Sequence, residues 1–427
     1  MMGRGAALGA LLALWLVAEA ARAESWTVTP ADGVVVTWPE HDLRASIDGW
    51  LALSGYVYDD RNVRHDQARI EPAQLGVELS WRDRATARVI ADLVGIDTRY
   101  GLVEAWGSYE LARYARATLG VQPIALGVEG SWPAASRPLI GMPGFPAFLT
   151  SRTDVALRLD GEIAEGLFSY DLAAAAGEGF DLFGQGREDP QLSAVATLYP
   201  LRMLGWKWRL GPYEFPLVSG LFGRGGFAWT PDFDGFADVA TPLRNKLFLT
   251  DRLHGDHSTA WHIGYGIDFG PIRAVHEFAH LSLYGVDTPS GGKEDLEELT
   301  AWQVQVSWRV TGEPYDSRPF RQRERWRGTP PARPLDGKGG SRGWGALELS
   351  FRYGNGDIDR NFFTFGFTDY DISSQEFRVA AFGMAWDPTA WLRLSGEVVR
   401  TIADQNPAVF DSHGRDTSGL VRLDWRF

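Results

Sequence analysis

Along much of the chain, apolar and polar residues alternate with a period of two. In LTAWQVQVSWRV, Trp302, Val304, Val306, Trp308 and Val310 share one face, and Gln303, Gln305, Ser307 and Arg309 share the other. TAWHIGYGIDF sets Trp261, Ile263, Tyr265, Ile267 and Phe269 against His262, Gly264, Gly266 and Asp268. WLRLSGEVV repeats the pattern, with Leu392, Leu394, Gly396 and Val398 opposite Arg393, Ser395, Glu397 and Val399. A period of two is that of a β-strand with two different faces. Charged residues recur in mid-strand, as Arg158, Arg309, Arg352 and Arg393 do. A packed sandwich core has no place for them, whereas a water-filled lumen does.

Sixteen such segments are expected from Ala45 onward: 45–58, 68–81, 84–95, 102–111, 115–126, 153–164, 167–177, 191–200, 217–229, 259–269, 272–284, 299–310, 343–354, 375–386, 390–402 and 418–427. Alternate connections are short (82–83, 111–114, 164–166, 270–271 and 387–389), and most of the others are longer. Short turns on one side and long loops on the other are expected of a bacterial transmembrane barrel. The expectation is therefore all-β: a 16-stranded antiparallel transmembrane β-barrel of the bacterial outer membrane, with outer-membrane lipid around it. An even count returns both termini to the periplasm.

The two ends of the sequence agree with this. Arg4, the apolar run Ala6–Val17 and the small-x-small sequence Ala21-Arg22-Ala23 read as a signal peptide over residues 1–23. Residues 24–44 are then a short periplasmic segment, and 45–427 the barrel. At the other end, Val421, Leu423, Trp425 and Phe427 alternate with Arg422, Asp424 and Arg426. A last amphipathic strand closing on an aromatic resembles the segment read by barrel-assembly machinery, which makes Trp425 and Phe427 the candidate assembly signal.

Composition narrows the chemistry. Cysteine is absent, which removes disulfides and thiolate catalysis, and the net charge of −13 argues against nucleic acid as a partner. The aromatic content (18 Trp, 23 Phe, 13 Tyr) and 49 Gly suit a barrel with aromatic girdles.

One motif points elsewhere. His276-Glu277-Phe278-Ala279-His280 spells H-E-x-x-H, which on a helix places two His on one face for zinc with the Glu as general base. On a strand rising ~3.3 Å per residue, the two His stand ~13 Å apart and cannot share an ion at bonds of ~2.0–2.1 Å. The strand count puts the motif on the eleventh strand, so it is read as a chance spelling with structural histidines and no bound metal. An outer-membrane hydrolase built on it, or a non-conducting structural barrel, are the competing functional readings. No G-x-S-x-G nucleophile elbow occurs.

Several segments resemble the phosphate-selective porin O and P family. These are LGVQPIALGVEGSWPAASRPLI (119–140), FLTDR (248–252), WQVQVSWRVTGEPYDSRPF (302–320) followed by GWGALELSFRYGNGDID, and MAWDPTAWLRLSGEVVR (384–400). The resemblance implies a trimeric, non-enzymatic diffusion pore without cofactors. It also implies a lumen narrowed by inward-folded third and fifth loops and a periplasmic turn, and lined by Arg and Lys for small anions such as phosphate. The third loop carries Arg137 and Arg152 among four prolines. The fifth, about 230–258, carries Arg244, Lys246, Arg252, His254 and His257. The turn 313–342 holds seven Arg and one Lys against two Glu and two Asp. Arg donates paired, parallel hydrogen bonds to phosphate-like anions, and rings of Arg or Lys select anions in pores. The expected anion pathway is thus Arg321, Arg323, Arg325 and Arg327, with Arg137 and Arg252 opposite, and Arg152 of the third loop also belongs to it. The expected lumen wall is Arg158, Arg309, Arg352 and Arg393.

Overall fold

A computed structural model describes residues 25–29, 33–58, 66–94, 101–132, 135, 137–141, 146, 151–176, 190–201, 207–210, 213–216, 220–235, 239–240, 246–248, 250–315, 331–336, 342–404 and 414–427. The strands in chain order are β1 (Ser25–Thr29), β2 (Gly33–Trp38), β3 (Leu43–Tyr58), β4 (Gln67–Trp81), β5 (Ala85–Asp92), β6 (Leu102–Ala112), β7 (Ala115–Ala125) and β8 (Ser151–Ile163). They continue as β9 (Phe168–Ala175), β10 (Gln191–Leu198), β11 (Lys207–Leu210), β12 (Tyr213–Pro216), β13 (Leu221–Gly235), β14 (Val239–Ala240), β15 (Lys246–Phe248) and β16 (Leu253–Phe269). The last six are β17 (Ile272–Asp287), β18 (Lys293–Arg309), β19 (Ala346–Ile358), β20 (Glu376–Thr389), β21 (Leu392–Ala403) and β22 (Arg415–Arg426).

Sixteen of these, β3 to β10, β13 and β16 to β22, form one closed antiparallel barrel. Each pairs with the next, and the circle closes where β22 pairs with β3 from Ser418↔Tyr58 to Arg426↔Trp50. Closure removes every edge, which a sheet in lipid requires because unpaired backbone groups there find no water. The expected segments all appear as barrel strands. Several run further than expected, three of them most: β13 reaches Gly235, β16 starts at Leu253 and β18 starts at Lys293. Their extra residues include Asp234, Lys293 and Glu294, polar positions that break the apolar alternation but keep the backbone ladder with neighbouring strands. The apolar alternation ends where the lipid ends, and the strands continue past it.

The turns separate the two rims. At Gly270-Pro271, glycine adopts φ +59° and proline's ring fixes the next φ, so β16 returns as β17 in two residues. Two connections on this rim are long: 199–220, which contains the hairpin β11–β12, and 310–345. The segment before the barrel also folds: β1 and β2 form a hairpin, and β2 pairs with β3 from Val34↔Ile47 to Trp38↔Leu43. It covers the stretch of β3 that lies beyond the end of β22.

Side chains sort by face as alternation requires. Leu157, Phe351, Leu394 and Val421 point outward and are exposed, whereas Arg158, Arg352, Arg393 and Ser418 on the same strands point inward and are buried. Trp81, Tyr109, Trp308 and Trp425 stand outward near the short-turn rim, an aromatic girdle at one membrane interface.

Candidate functional site

The third loop, between β7 and β8, lies inside the barrel rather than over it. Its first residues are tied to the wall by backbone groups that would otherwise need water. Arg224 on β13 donates from Nη2 to the Ala125 carbonyl at 2.7 Å and from Nε to that of Leu126 at 2.9 Å. Glu277 on β17 accepts from the Val128 N–H at 2.6 Å, the Glu129 N–H at 3.1 Å and Gln303 Nε2 at 2.7 Å, with His262 Nε2 at 3.0 Å. Further along, Arg426 donates to the Ala135 carbonyl, Arg393 to that of Arg137, and Glu397 accepts from the Gly141 N–H at 2.7 Å.

Apolar contacts reinforce these ties. A Cβ added at Gly226 would lie 2.8 Å from Leu126 Cβ, one at Gly264 2.6 Å from Val128 Cγ2, and one at Gly383 2.6 Å from Leu139 Cδ2. The wall therefore lacks side chains at the three places where the loop inserts them. Gly127 passes over the His262–Glu277 pair, and a Cβ there would stand 3.0 Å from both. Leu139 and Ile140 join Leu247 and Phe248 of the fifth loop and Phe362 and Phe367 of the seventh in one buried cluster. This plug fills the β16–β21 side of the long-loop rim.

On the short-turn rim, Trp132 of the third loop meets the 310–345 segment. The Arg273 guanidinium lies 5.2 Å from the Trp132 ring centroid and 4.4 Å from that of Tyr315, while two of its nitrogens bond Asp268 at 2.6 and 2.7 Å. Arg309 lies 3.9 Å from the same Tyr315 ring, whose hydroxyl donates to Glu348 at 2.6 Å. Burial, with Glu348 beside it, raises the Tyr315 phenol well above its ordinary range. The start of this turn is thus folded into the lumen mouth.

Part of the lumen beside β6 to β10 stays open. There a cleft of about 310 Å³ is lined by Arg116, Arg158, Asp160, Asp171, Thr197 and Arg224 among others. Arg116 pairs with Asp160 at 2.6 Å and Arg158 with Asp171 at 2.5 Å. The centre of the lumen is different. Arg352 is held by Glu129 and by Gln305, but the Arg137 guanidinium makes no hydrogen bond or ion pair with any described residue. Arg422 bonds only the Ser54 hydroxyl, at 3.0 Å. Burial holds the Arg137 guanidinium below its ordinary value, to about 10; Glu129 opposes that shift, and the charges of Arg352 and Arg422 add to it. Two guanidinium groups without a carboxylate in ion-pair contact among the described residues therefore lie within one another's field inside the lumen.

No family model and no curated protein matches the sequence, but solved structures match the fold. A trimer form of OmpT from Vibrio cholerae aligns with a TM-score of 0.53 at 10% identity, covering 90% of this chain and 99% of that one. An anion-selective porin from Comamonas acidovorans gives 0.51 at 12%, covering 90% and 100%. The outer-membrane channel DcaP of Acinetobacter baumannii gives 0.52 at 12%, covering 90% and 97%. The fold is that of the outer-membrane porins. A barrel of this kind with an apolar exterior belongs in the bacterial outer membrane.

The expected residues fall in different places within this porin fold. Arg158, Arg309, Arg352 and Arg393 point inward, yet each is at most 9% exposed and held by a partner, so they brace the wall instead of standing free in water. Arg252 is not opposite Arg137: it sits at the loop end of the β13–β16 hairpin, bonded twice to Asp234 at 2.6 and 2.7 Å. His254 joins the same Asp234, and His257 stacks on Tyr284. Of the fifth loop, Leu247 and Phe248 reach inward into that cluster, while Arg244 and the Lys246 side chain lie outside what is described. Arg152 is the second residue of β8, its side chain outside what is described, and Arg321, Arg323, Arg325 and Arg327 lie outside the described residues.

The H-E-x-x-H segment is a strand, β17, paired on both sides. His276 and His280 point outward and stack on Tyr265 (4.8 Å) and Trp261 (5.2 Å), while Glu277 points inward. The geometry a zinc protease needs is absent. The spelling is nevertheless not idle, because Glu277 is the main anchor of the third loop. Nothing in its local sequence marks that role, since its partners lie near 128, 262 and 303. Arg422 is the other residue of consequence that carried no separate expectation, being one of several charges on the last strand.

Proposed function

We propose that the protein is a passive diffusion channel, a porin and not an enzyme, for small hydrophilic solutes and preferentially for anions such as phosphate. It functions as a homotrimer of the kind represented by the Vibrio cholerae trimer, in the manner of the phosphate-selective porins its segments resemble. The observation that carries the reading is the pair Arg137 and Arg422, without carboxylate partners among the described residues, in a lumen whose other described arginines are mostly braced by acids or carbonyls. A cation already paired offers little to a passing anion. An unpaired guanidinium in a narrow, partly desolvated passage attracts one strongly. The similarity to an anion-selective porin supports the same direction. The net charge of −13 does not oppose it, since charges on the outer loops are screened over ~8–10 Å at physiological salt.

Reversal potentials across a KCl gradient in planar bilayers test this. The native protein is expected to favour chloride over potassium, and Arg137→Gln with Arg422→Gln to lower that ratio severalfold while conductance persists. Cation selectivity in the native protein, or a ratio indifferent to both changes, overturns the anion reading. Absence of any conductance overturns the channel itself.

A further inference from the structure

Three arginines face the wrong way for a pore. On β20, β21 and β22, Arg378, Arg400 and Arg415 occupy outward positions of the alternation, and all three are exposed. The register groups them: Arg378 and Arg415 both stand opposite Ile402, one on each side, and Arg400 is one outward position below it. With strands ~4.8 Å apart and ~3.3 Å per residue, three guanidinium stems rise within ~10 Å of one another. None makes an ion pair or hydrogen bond with any described residue. The two neighbours opposite Arg400 are small, Ala380 and Thr417, so a shallow notch lies below the upper pair.

Their height on the wall identifies their surroundings. Directly below on the same face stand Phe382 and Val398, each 54% exposed, and Val421, at 57%, which form the apolar belt. The arginines are at the long-loop end of their strands, at the upper border of that belt. Glu376 and Asp404 stand a step further out, and Asp404 is already occupied, accepting from Ser374 Oγ and from the Glu376 N–H. Three like charges at a lipid border, with no ion pair or side-chain hydrogen bond to any described residue, suit an anion from the membrane.

We propose that Arg378, Arg400 and Arg415 form a seat for the phosphate of an outer-leaflet lipid head group, with the acyl chains lying over Phe382, Val398 and Val421. The guanidinium fork bonds phosphate oxygens in pairs, and long basic side chains reach from the belt to head-group level. The seat is on the outside of the barrel and is independent of the lumen.

Full-length detergent-solubilised protein, titrated with dioleoyl phosphatidic acid and followed by native mass spectrometry, tests the seat. The native protein is expected to retain phosphatidic acid over dioleoyl phosphatidylcholine, and the variant R378Q/R400Q/R415Q to bind it at least tenfold more weakly, with unchanged single-channel conductance reporting an intact barrel. Glycerol 3-phosphate at equal concentration should not compete; competition would mean a free-phosphate site and overturn the lipid assignment. Equal retention by native and variant protein also overturns it, as does a variant that alters oligomer stability but not lipid binding, because the face would then seat a second copy. Should the triple variant fail to insert, R400Q alone is expected to lose affinity severalfold, and no loss in it sinks the proposal.

Discussion

Glu277 on β17 accepts the backbone N–H of Val128 at 2.6 Å, across 149 positions of sequence. One carboxylate oxygen takes that bond and a second from the Glu129 N–H, and the other takes Gln303. Hydrogen bonds to a charged acceptor contribute about 1.5–3 kcal/mol each. Glu277→Ala should therefore free the start of the third loop, and Glu277→Gln, which keeps one acceptor oxygen, should do so less. The expected outcome is a larger and noisier single-channel conductance for Glu277→Ala, with faster amide exchange at 127–132. Identical current traces for all three proteins would show that the loop is held without this residue. The silent effect that a chance motif predicts for Glu277→Gln is thus replaced by a graded one.

The glycines on the inner wall make a separate prediction. At Gly226 an added Cβ meets Leu126 Cβ at 2.8 Å and its Cα at 3.1 Å, so the loop backbone itself has to move. Overpacking of this kind costs about 1–3 kcal/mol. Gly226→Ala should lower the thermal midpoint in detergent and alter conductance, whereas Gly223→Ala on the same strand, with nothing within 4 Å of an added Cβ, should do neither. Equal behaviour of the two variants would remove the role assigned to Gly226.

How far the sequence revealed all this depends on the range of the interaction. Alternation is a local property, so the strands, their faces and the even count could be read from Val421 or Trp302 and their neighbours alone. The site is not local. Whether an inward arginine is braced or free depends on partners elsewhere: Arg352 needs Glu129, 223 positions away, and Arg224 needs the carbonyls of Ala125 and Leu126. No spacing rule distinguishes Arg352 from Arg422, which occupy equivalent inward positions on their strands. Glycine at 226, 264 and 383 likewise reads as strand-weakening until the loop that fills the gap is in place.

The arginine-rich turn allows a comparison with the central pair. Replacing Arg321, Arg323, Arg325 and Arg327 with Gln removes four positive charges, against two for the Arg137 and Arg422 changes. Desolvated charges at the narrowest point act more strongly than charges screened by salt. The four turn changes are expected to shift the anion/cation ratio less than the two central ones at 1 M salt, with the gap closing at 0.01 M. A larger effect of the turn at high salt would place the selective ring there instead.

Closure of the barrel gives the last prediction. Phe427 exchanges two backbone hydrogen bonds with Gly49, Gly49 N–H to the Phe427 carbonyl at 2.8 Å and the reverse at 3.1 Å. Its ring lies over that glycine: an added Cβ would be 2.4 Å from Cζ and 2.7 Å from Cε1. The ring also packs at 5.4 Å from Trp425, so the final aromatic both ends the belt and seals β22 to β3. Gly49→Val should push the ring away and weaken the seam while leaving the C-terminal sequence intact. Phe427→Asp should disturb both the seam and any recognition by the assembly machinery. Heat-modifiable gel migration reads the seam, and outer-membrane abundance reads assembly. Phe427→Asp is expected to lower abundance strongly, and Gly49→Val to lower the unfolding temperature with abundance largely kept. If Gly49→Val depletes the protein from the membrane as severely as Phe427→Asp, the residue acts through barrel closure alone and its part as an assembly signal is refuted.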